Sequence, residues 1–235
     1  MLSDMSQADT PPDRAHVVVG GAAHVRTFLG GTVRKLAVGP MDNNAYLITC
    51  TTTGAQALID PAADSDALLA LVRAGNSSAR LDAILVTHRH HDHVGALWDM
   101  HAVTGAPVAV GDADADEVAR ACDVAVARRL RHLDTIAVGA LTLGAVELRG
   151  HTPGSTAFVL AAPDLPVQVF TGDSLFPGGI GKTTSPEDFR SLLGDVRSRL
   201  FDRLADDTVV RPGHGDDTTL GHERPHLAQW AARGW

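Results

Sequence analysis

Nine residues constrain this chain more than any others: Thr87 to Gly95 read THRHHDHVG, directly after the apolar run Leu81 to Val86. A near-continuous apolar run of that length is expected of a strand buried on both faces, so the polar residues sit at a strand's C-terminal end. His88, His90, Asp92 and His93 fall within six positions. Imidazole and carboxylate are ligand types that borderline-soft Zn²⁺ accepts, and a loop can turn alternate side chains toward two metals. A single histidine here would read as a solvated loop residue; this spacing reads as a metal site. His91 is left out, because its neighbours alternate in orientation around it.

Three later positions repeat one pattern, a ligand-type residue after an apolar strand and beside glycine or proline. His151 stands in GHTPGS, Asp173 in FTGDSLF and His214 in RPGHGD. Each alone is an ordinary turn residue; together, with no competing ligand set, they complete a centre of five histidines and two aspartates. Cys50 and Cys122, the only cysteines, lie far from these motifs and are expected to be free, buried thiols.

Around the motifs the order is mostly β. Thr32 to Val38, Ala45 to Thr49 and Gln56 to Ile59 suggest a meander, and Ser65 to Ala74 a helix capped at Asp64 or Ser65. Further strands are expected near Thr135 to Val138, Leu141 to Leu148, Ala157 to Ala161 and Val167 to Phe170. Helices are expected after Gly95, over Asp114 to Leu130, and over Pro186 to Leu204 behind Ser185 as cap. Two face-to-face sheets with helices outside fit this order. We expect residues 1–20 to be a disordered lead-in and 21–235 a single domain with a short helical tail.

HxHxDH followed by a GHTPGS histidine, a TGD aspartate and a PGH histidine resembles the metallo-β-lactamase superfamily, and within it the glyoxalase II-type (hydroxyacylglutathione hydrolase-like) thioester hydrolases, over roughly Val33 to His214. The resemblance implies an α/β, αββα sandwich with the site at one edge of the sheets. It implies that His88, His90 and His151 hold one metal, that Asp92, His93 and His214 hold a second, and that Asp173 bridges them. Two divalent ions are then the cofactors, zinc first, with iron or manganese as alternatives. Such a pair holds a hydroxide that attacks a thioester, ester or lactone carbonyl, with Asp92 or Asp173 as proton acceptor. The absence of a cysteine near the motifs separates the chain from the best-known class B β-lactamases.

The resemblance also marks substrate contacts: Lys182 in GGIGKTT, where glyoxalase II-type enzymes place a lysine for the glutathione carboxylate, and Asn44 and Tyr46, with Asn43, in MDNNAYLI. The tail, GHERPHLAQWAARGW, departs from the family's longer helical C-terminal segment, which puts glutathione specificity in doubt; Trp230 and Trp235 are expected to pack.

The net charge of -8, without a basic face, argues against a nucleic-acid partner and against the superfamily's nucleases. No apolar run reaches the 18 or so residues of a membrane span, and the acidic, proline-containing start lacks a secretory pattern. A cytoplasmic enzyme acting on a small molecule is expected, with the number of subunits left open. The main rival is a mononuclear-iron persulfide dioxygenase of the same fold; a non-catalytic binding module usually lacks a ligand, and here none is missing.

Overall fold

A computed structural model describes residues 15–234. Expectations for residues 1–14, and for Trp235, lie outside the described residues. Ala15 is buried and its carbonyl accepts a hydrogen bond from Lys35 Nζ at 2.8 Å.

The first sheet runs β1 (His24–Phe28), β2 (Gly31–Val38), β3 (Asn43–Cys50), β4 (Gln56–Ile59), β5 (Ala83–Val86), β6 (Val108–Gly111) and β7 (Val126–Leu130), side by side in chain order. Its first four strands are antiparallel and its last four parallel. The parallel pairs need crossovers, supplied by α1 (Ser65–Gly75), by α2 (His91–Val94) with α3 (Leu97–Thr104), and by α4 (Ala115–Cys122). The second sheet contains β8 (Thr135–Val138), β9 (Leu141–Glu147), β10 (Thr156–Ala162), β11 (Leu165–Gly172), β14 (Val209–Pro212) and β15 (Thr218–Thr219), in the order 15-14-11-10-9-8. A small hairpin of β12 (Leu175–Phe176) and β13 (Gly179–Ile180) follows β11. The chain closes with α5 (Pro186–Val196), a π-helical turn (Arg197–Phe201), α6 (Leu220–Glu223) and α7 (Leu227–Arg233).

Strand alternation makes three apolar layers. On β3, Ala45 and Leu47 face α1 and α3 in an outer core, while Tyr46, Ile48 and Cys50 face Phe158 and Phe170 of the second sheet. On β5, Ile84 and Val86 take the first side and Ala83 and Leu85 the second, which is why that strand is apolar throughout. The third core lies on the outer face of the second sheet, where α5, the π-turn and α7 bury Leu192, Phe201 and Trp230. This is the αββα sandwich expected from the sequence. Trp230 packs edge-on to Phe201.

Three boundaries differ from expectation. The segment Asp114 to Leu130 is not one helix: α4 stops at Cys122, Asp123 turns into the left-handed region at φ 51°, and Val126–Leu130 joins the sheet as its parallel edge strand. The last helix of the second half is regular only to Val196 and then widens into the π-turn. The strand β1 has no counterpart in the sequence reading, because its exposed edge carries few apolar residues. Cys50 and Cys122 are both free, the first buried and the second half-buried. Among the described residues no helix is long and apolar enough to cross a membrane.

Candidate metal centre

Four strand ends converge. His88 follows β5, Asp173 follows β11 and His214 follows β14, while His151 lies in the turn between β9 and β10. The strands β9 and β11 both pair antiparallel with β10 and β14 runs parallel to β11, so three ends of the second sheet share one edge. That edge is stitched to the first sheet by Thr156 N–H donating to the Thr87 carbonyl (2.8 Å) and Asn44 N–H donating to the Gly213 carbonyl (2.7 Å). The sheets approach so closely that Gly172, at φ 50°, leaves no room for a Cβ, which would stand 2.3 Å from Thr87 Oγ1.

All seven expected ligand residues meet here, in two groups. Nε2 of His88 lies 3.0 Å from Nδ1 of His90 and 3.2 Å from Nε2 of His151. Nε2 of His214 lies 3.4 Å from Oδ2 of Asp92, and Nε2 of His93 lies 3.6 Å from the same oxygen. Each trio offers ligand atoms all within 4.8 Å of one another. Asp173 faces both, its Oδ2 3.7 Å from His151 Nε2 and 3.6 Å from His214 Nε2. Asp92 and His93 stand on the single turn of α2 rather than on a loop, and that turn throws His91 outward with its side chain 90% exposed.

The test of a fit to metal lies in His93 Nε2 and Asp173 Oδ1. They are 3.2 Å apart, yet both are buried and neither makes a hydrogen bond. Buried polar atoms are almost always partnered, and two that face a common point without bonding each other suit a cation between them. A Cβ on Gly213 would stand 2.2 Å from that same Asp173 oxygen and 2.6 Å from the His93 ring, so glycine keeps the space open. Nitrogen and carboxylate donors in these numbers suit zinc-type divalent ions.

Charge follows the same division. Burial, reinforced by the charge of His93, pushes His88 well below the ordinary imidazole range, and burial lowers His90. Burial acts to raise Asp92, but the Asn43 amide, donating to Oδ2 at 2.9 Å, leaves it lowered. Burial opposes protonation of His93, yet Asp173 and Asp60 outweigh it and push it up to about 10. The pull from Asp173 is that of charge on charge, since that contact lacks hydrogen-bond geometry. Asp173 is held well below the usual carboxylate range: burial acts against this, and His214 and His93 overcome it.

Two carboxylates missing from the sequence reading brace the ligands. Asp60, buried just after β4 at φ 52°, accepts from Thr87 N–H (2.8 Å), Thr87 Oγ1 (2.7 Å) and His93 Nδ1 (2.9 Å). Its carboxylate bonds the Nδ1 side of His93, and with His88 and His93 it makes a third group of possible ligand atoms within 4.8 Å of one another; bonded to Nδ1, it fixes the ring that must present Nε2. The ALIDP pattern, an acidic residue after an apolar strand and before proline, was the available signal. Asp114, fully buried, accepts from Arg89 N–H (3.1 Å), Thr152 Oγ1 (2.6 Å) and Gly154 N–H (3.0 Å), tying the loop of His88 and His90 to that of His151. It stands at the N-cap of α4 but caps nothing there.

The expected substrate residues separate. Tyr46 is buried, and its hydroxyl donates to the Pro212 carbonyl at 2.7 Å. Asn44 is equally buried and donates to the carbonyls of Pro212 (3.0 Å) and Gly215 (2.9 Å). Both side chains hold the turn carrying His214, and neither opens to solvent. Lys35, also buried, donates to the Gly215 carbonyl and to Asp217 and braces the same turn. Lys182 is exposed; its carbonyl accepts from His151 Nδ1 at 2.6 Å. Beside it a cavity of about 450 Å³ is lined by Ile180, Gly181, Lys182, Phe189 and Arg233. Arg224 belongs to the tail's packing, reaching Asp206 and the Phe201 carbonyl, while His222 and His226 are exposed.

The sequence profile of the metallo-beta-lactamase superfamily matches residues 38–214, the stretch containing every one of these ligand positions. The chain belongs to this superfamily. A hydroxyacylglutathione hydrolase of Fuscovulum blasticum is 37% identical over 175 residues, 74% of this chain and 62% of the relative, so the chain spans less than two thirds of that protein's length. The hydroxyacylglutathione hydrolase GloC of Haemophilus influenzae is 30% identical over 72% of this chain and 84% of its own. Among solved structures, ETHE1 from Myxococcus xanthus superposes with a TM-score of 0.73 at 28% identity, covering 85% of this chain and 84% of that one. A protein solved in a di-iron-bound form, 33% identical, gives 0.62 over 81% and 96%. This superfamily member thus has hydrolase relatives and histidine–aspartate groups able to bind metal ions.

Proposed function

We propose that the chain is a dinuclear metal-dependent hydrolase of acyl thioesters or esters, glyoxalase II-like in chemistry. The observation that carries the reading is the pair of ligand trios with Asp173 facing both. In this reading His88, His90 and His151 hold one ion, Asp92, His93 and His214 the other, and Asp173 spans them. Two divalent ions, zinc foremost, would supply Lewis acidity toward the carbonyl and lower the pKa of water to near neutrality.

The chain's own residues do the rest. Asp92 and Asp173 are both ionised before the reaction, and one of them accepts the proton of the attacking water, either Asp173 or Asp92, whose Oδ2 is steadied by Asn43. Water oxygen bonds to the acyl carbon; in a thioester the carbon–sulfur bond breaks and the thiolate leaves without a proton, and in an ester the carbon–oxygen bond breaks and the alcohol leaves with the proton that the carboxylate had accepted. Lys182 and Arg233, lining one cavity beside His151, receive an anionic group of the substrate. Asn44 and Tyr46 act through the His214 turn.

A second reading, a persulfide dioxygenase using one iron, draws on the likeness to ETHE1 from Myxococcus xanthus. One experiment separates them. Thiol release from an acyl thioester, abolished by chelation, is the result expected; oxygen uptake on a persulfide, without thioester hydrolysis, would replace the first reading by the second.

A further inference from the structure

The strand β2 carries a lysine where its alternation calls for an apolar side chain. Val33 and Lys35 share one face of β2, and Val33 packs in the core between the two sheets. Lys35 is registered opposite Tyr46 of that same core and is fully buried. An ammonium is among the costliest groups to bury, and it persists only where its donors are met. Here all three are: Nζ donates to the carbonyls of Ala15 and Gly215, each at 2.8 Å, and to Asp217 Oδ1 at 2.7 Å. The other Asp217 oxygen accepts from Arg211 Nη1 at 2.5 Å, and Arg211 Nε donates to Gln168 Oε1 of β11 at 2.7 Å. All four side chains are buried. Arg211 stands three residues before His214 and Asp217 three after it, so the cluster grips the turn of this ligand from both sides.

We propose, resting on the dinuclear reading, that Lys35 is a positioning residue for the second ion: through Gly215 and Asp217 it fixes the direction in which His214 offers Nε2. Asn44 and Tyr46 hold the same turn by neutral hydrogen bonds, and Lys35 adds the charge-assisted bond beyond them, the stronger kind. The first trio has separate bracing. Asp60 holds Thr87 beside His88, and Asp114 ties the loop of His90 to that of His151. Loss of the lysine should therefore weaken one ion and spare the other.

The test is a pair of Zn²⁺ affinities on the full chain, measured by competition with a chromophoric chelator and needing no turnover. Lys35→Met keeps the length of the side chain and leaves Arg211 and Asp217 as a balanced pair. In this variant the affinity for one equivalent is expected to fall about 10- to 100-fold, the scale for an outer partner of a metal ligand, with the other equivalent unchanged. Combination with ligand variants identifies the weakened ion. Added to His214→Ala, Lys35→Met should change nothing further; added to His151→Ala, it should weaken the ion that remains. A lysine that only holds the fold would lower stability and leave the ratio of the two affinities as it was, the behaviour expected of Leu68→Ala in the outer core. Should Lys35→Met fail to fold, Asp217→Asn, which keeps the shape of the cluster, carries the same expectation. Two affinities unchanged, or lowered alike, would overturn the proposal and leave the dinuclear reading standing. An unaltered chain that binds a single ion would overturn that reading, and the proposal with it.

Discussion

His93 Nε2 and Asp173 Oδ1 lie 3.2 Å apart in the buried seam between the two sheets, and no hydrogen bond joins them. The backbone explains their facing: His93 is fixed from behind by Asp60, and Asp173 leaves β11 where Gly172 presses against Thr87. A cation shared with Asp92 and His214 would satisfy both, and the predictions below follow from that geometry.

Gly213→Ala should empty the site while leaving most of the fold in place. The new methyl would meet Asp173 Oδ1 and the His93 ring, so those two must part. Metal content measured by elemental analysis is expected to fall, with hydrolysis down by about 100-fold or more. Full metal occupancy in this variant would mean that the space between His93 and Asp173 is not where an ion sits.

Asp60→Asn keeps a side chain that tolerates the positive φ of that position but replaces a carboxylate oxygen facing His93 Nδ1. A weaker grip on the ring should lower metal affinity about 10- to 100-fold, read by competition with a chromophoric chelator. Unaltered affinity would reduce Asp60 to a purely structural anchor of Thr87.

The metal-free protein should show a specific pH dependence. His93, pushed up to about 10 from 6.5, adds stability that is complete below pH 6.5 and fades as pH rises through about 10. Asp173, held below the ordinary 3.8, adds stability above that value that is lost as pH falls. A metal needs His93 neutral, so binding must displace its proton. Affinity is therefore expected to climb about 10-fold per pH unit between about 7 and 9, with proton release seen by calorimetry; a flat profile would contradict the assignment of His93.

Tyr46→Phe and Lys182→Ala should fail in different ways. The tyrosine variant loses a buried hydrogen bond to Pro212 and should lose about 1 kcal/mol of stability, with KM little changed. The lysine variant should keep its stability and raise KM about 10-fold for carboxylate-bearing substrates, more at low salt. Chemical denaturation alongside steady-state kinetics distinguishes the two.

What could be read in advance depended on how local each signal is. The strand β5 with its histidines, the helix opened by Ser185 and Pro186, and the strand-end positions of His151, Asp173 and His214 are set by short stretches of sequence. The bracing roles of Asp60 and Asp114 were not legible because their partners Thr87 and Thr152 lie 27 and 38 residues away; the ALIDP pattern marks Asp60 as notable without saying which hydroxyl it will meet. The edge strands β1 and β7 escaped for another reason. Exposed residues along Val126–Leu130 gave no period of two, and the preceding helical pattern of α4 ran on into them. Tyr46 read as a candidate contact because MDNNAYLI resembles a family turn that approaches the metals, and the resemblance does not say which face of β3 the tyrosine takes.

The most direct test of the central claim is a titration of metal-stripped protein with Zn²⁺, following thioester hydrolysis and bound metal together. Two sites of three protein ligands each, spanned by Asp173, predict activity that is absent in the stripped chain and reaches its plateau at two equivalents. Hydrolysis that persists without metal, or a plateau at one equivalent with the second ion never bound, would contradict the dinuclear centre.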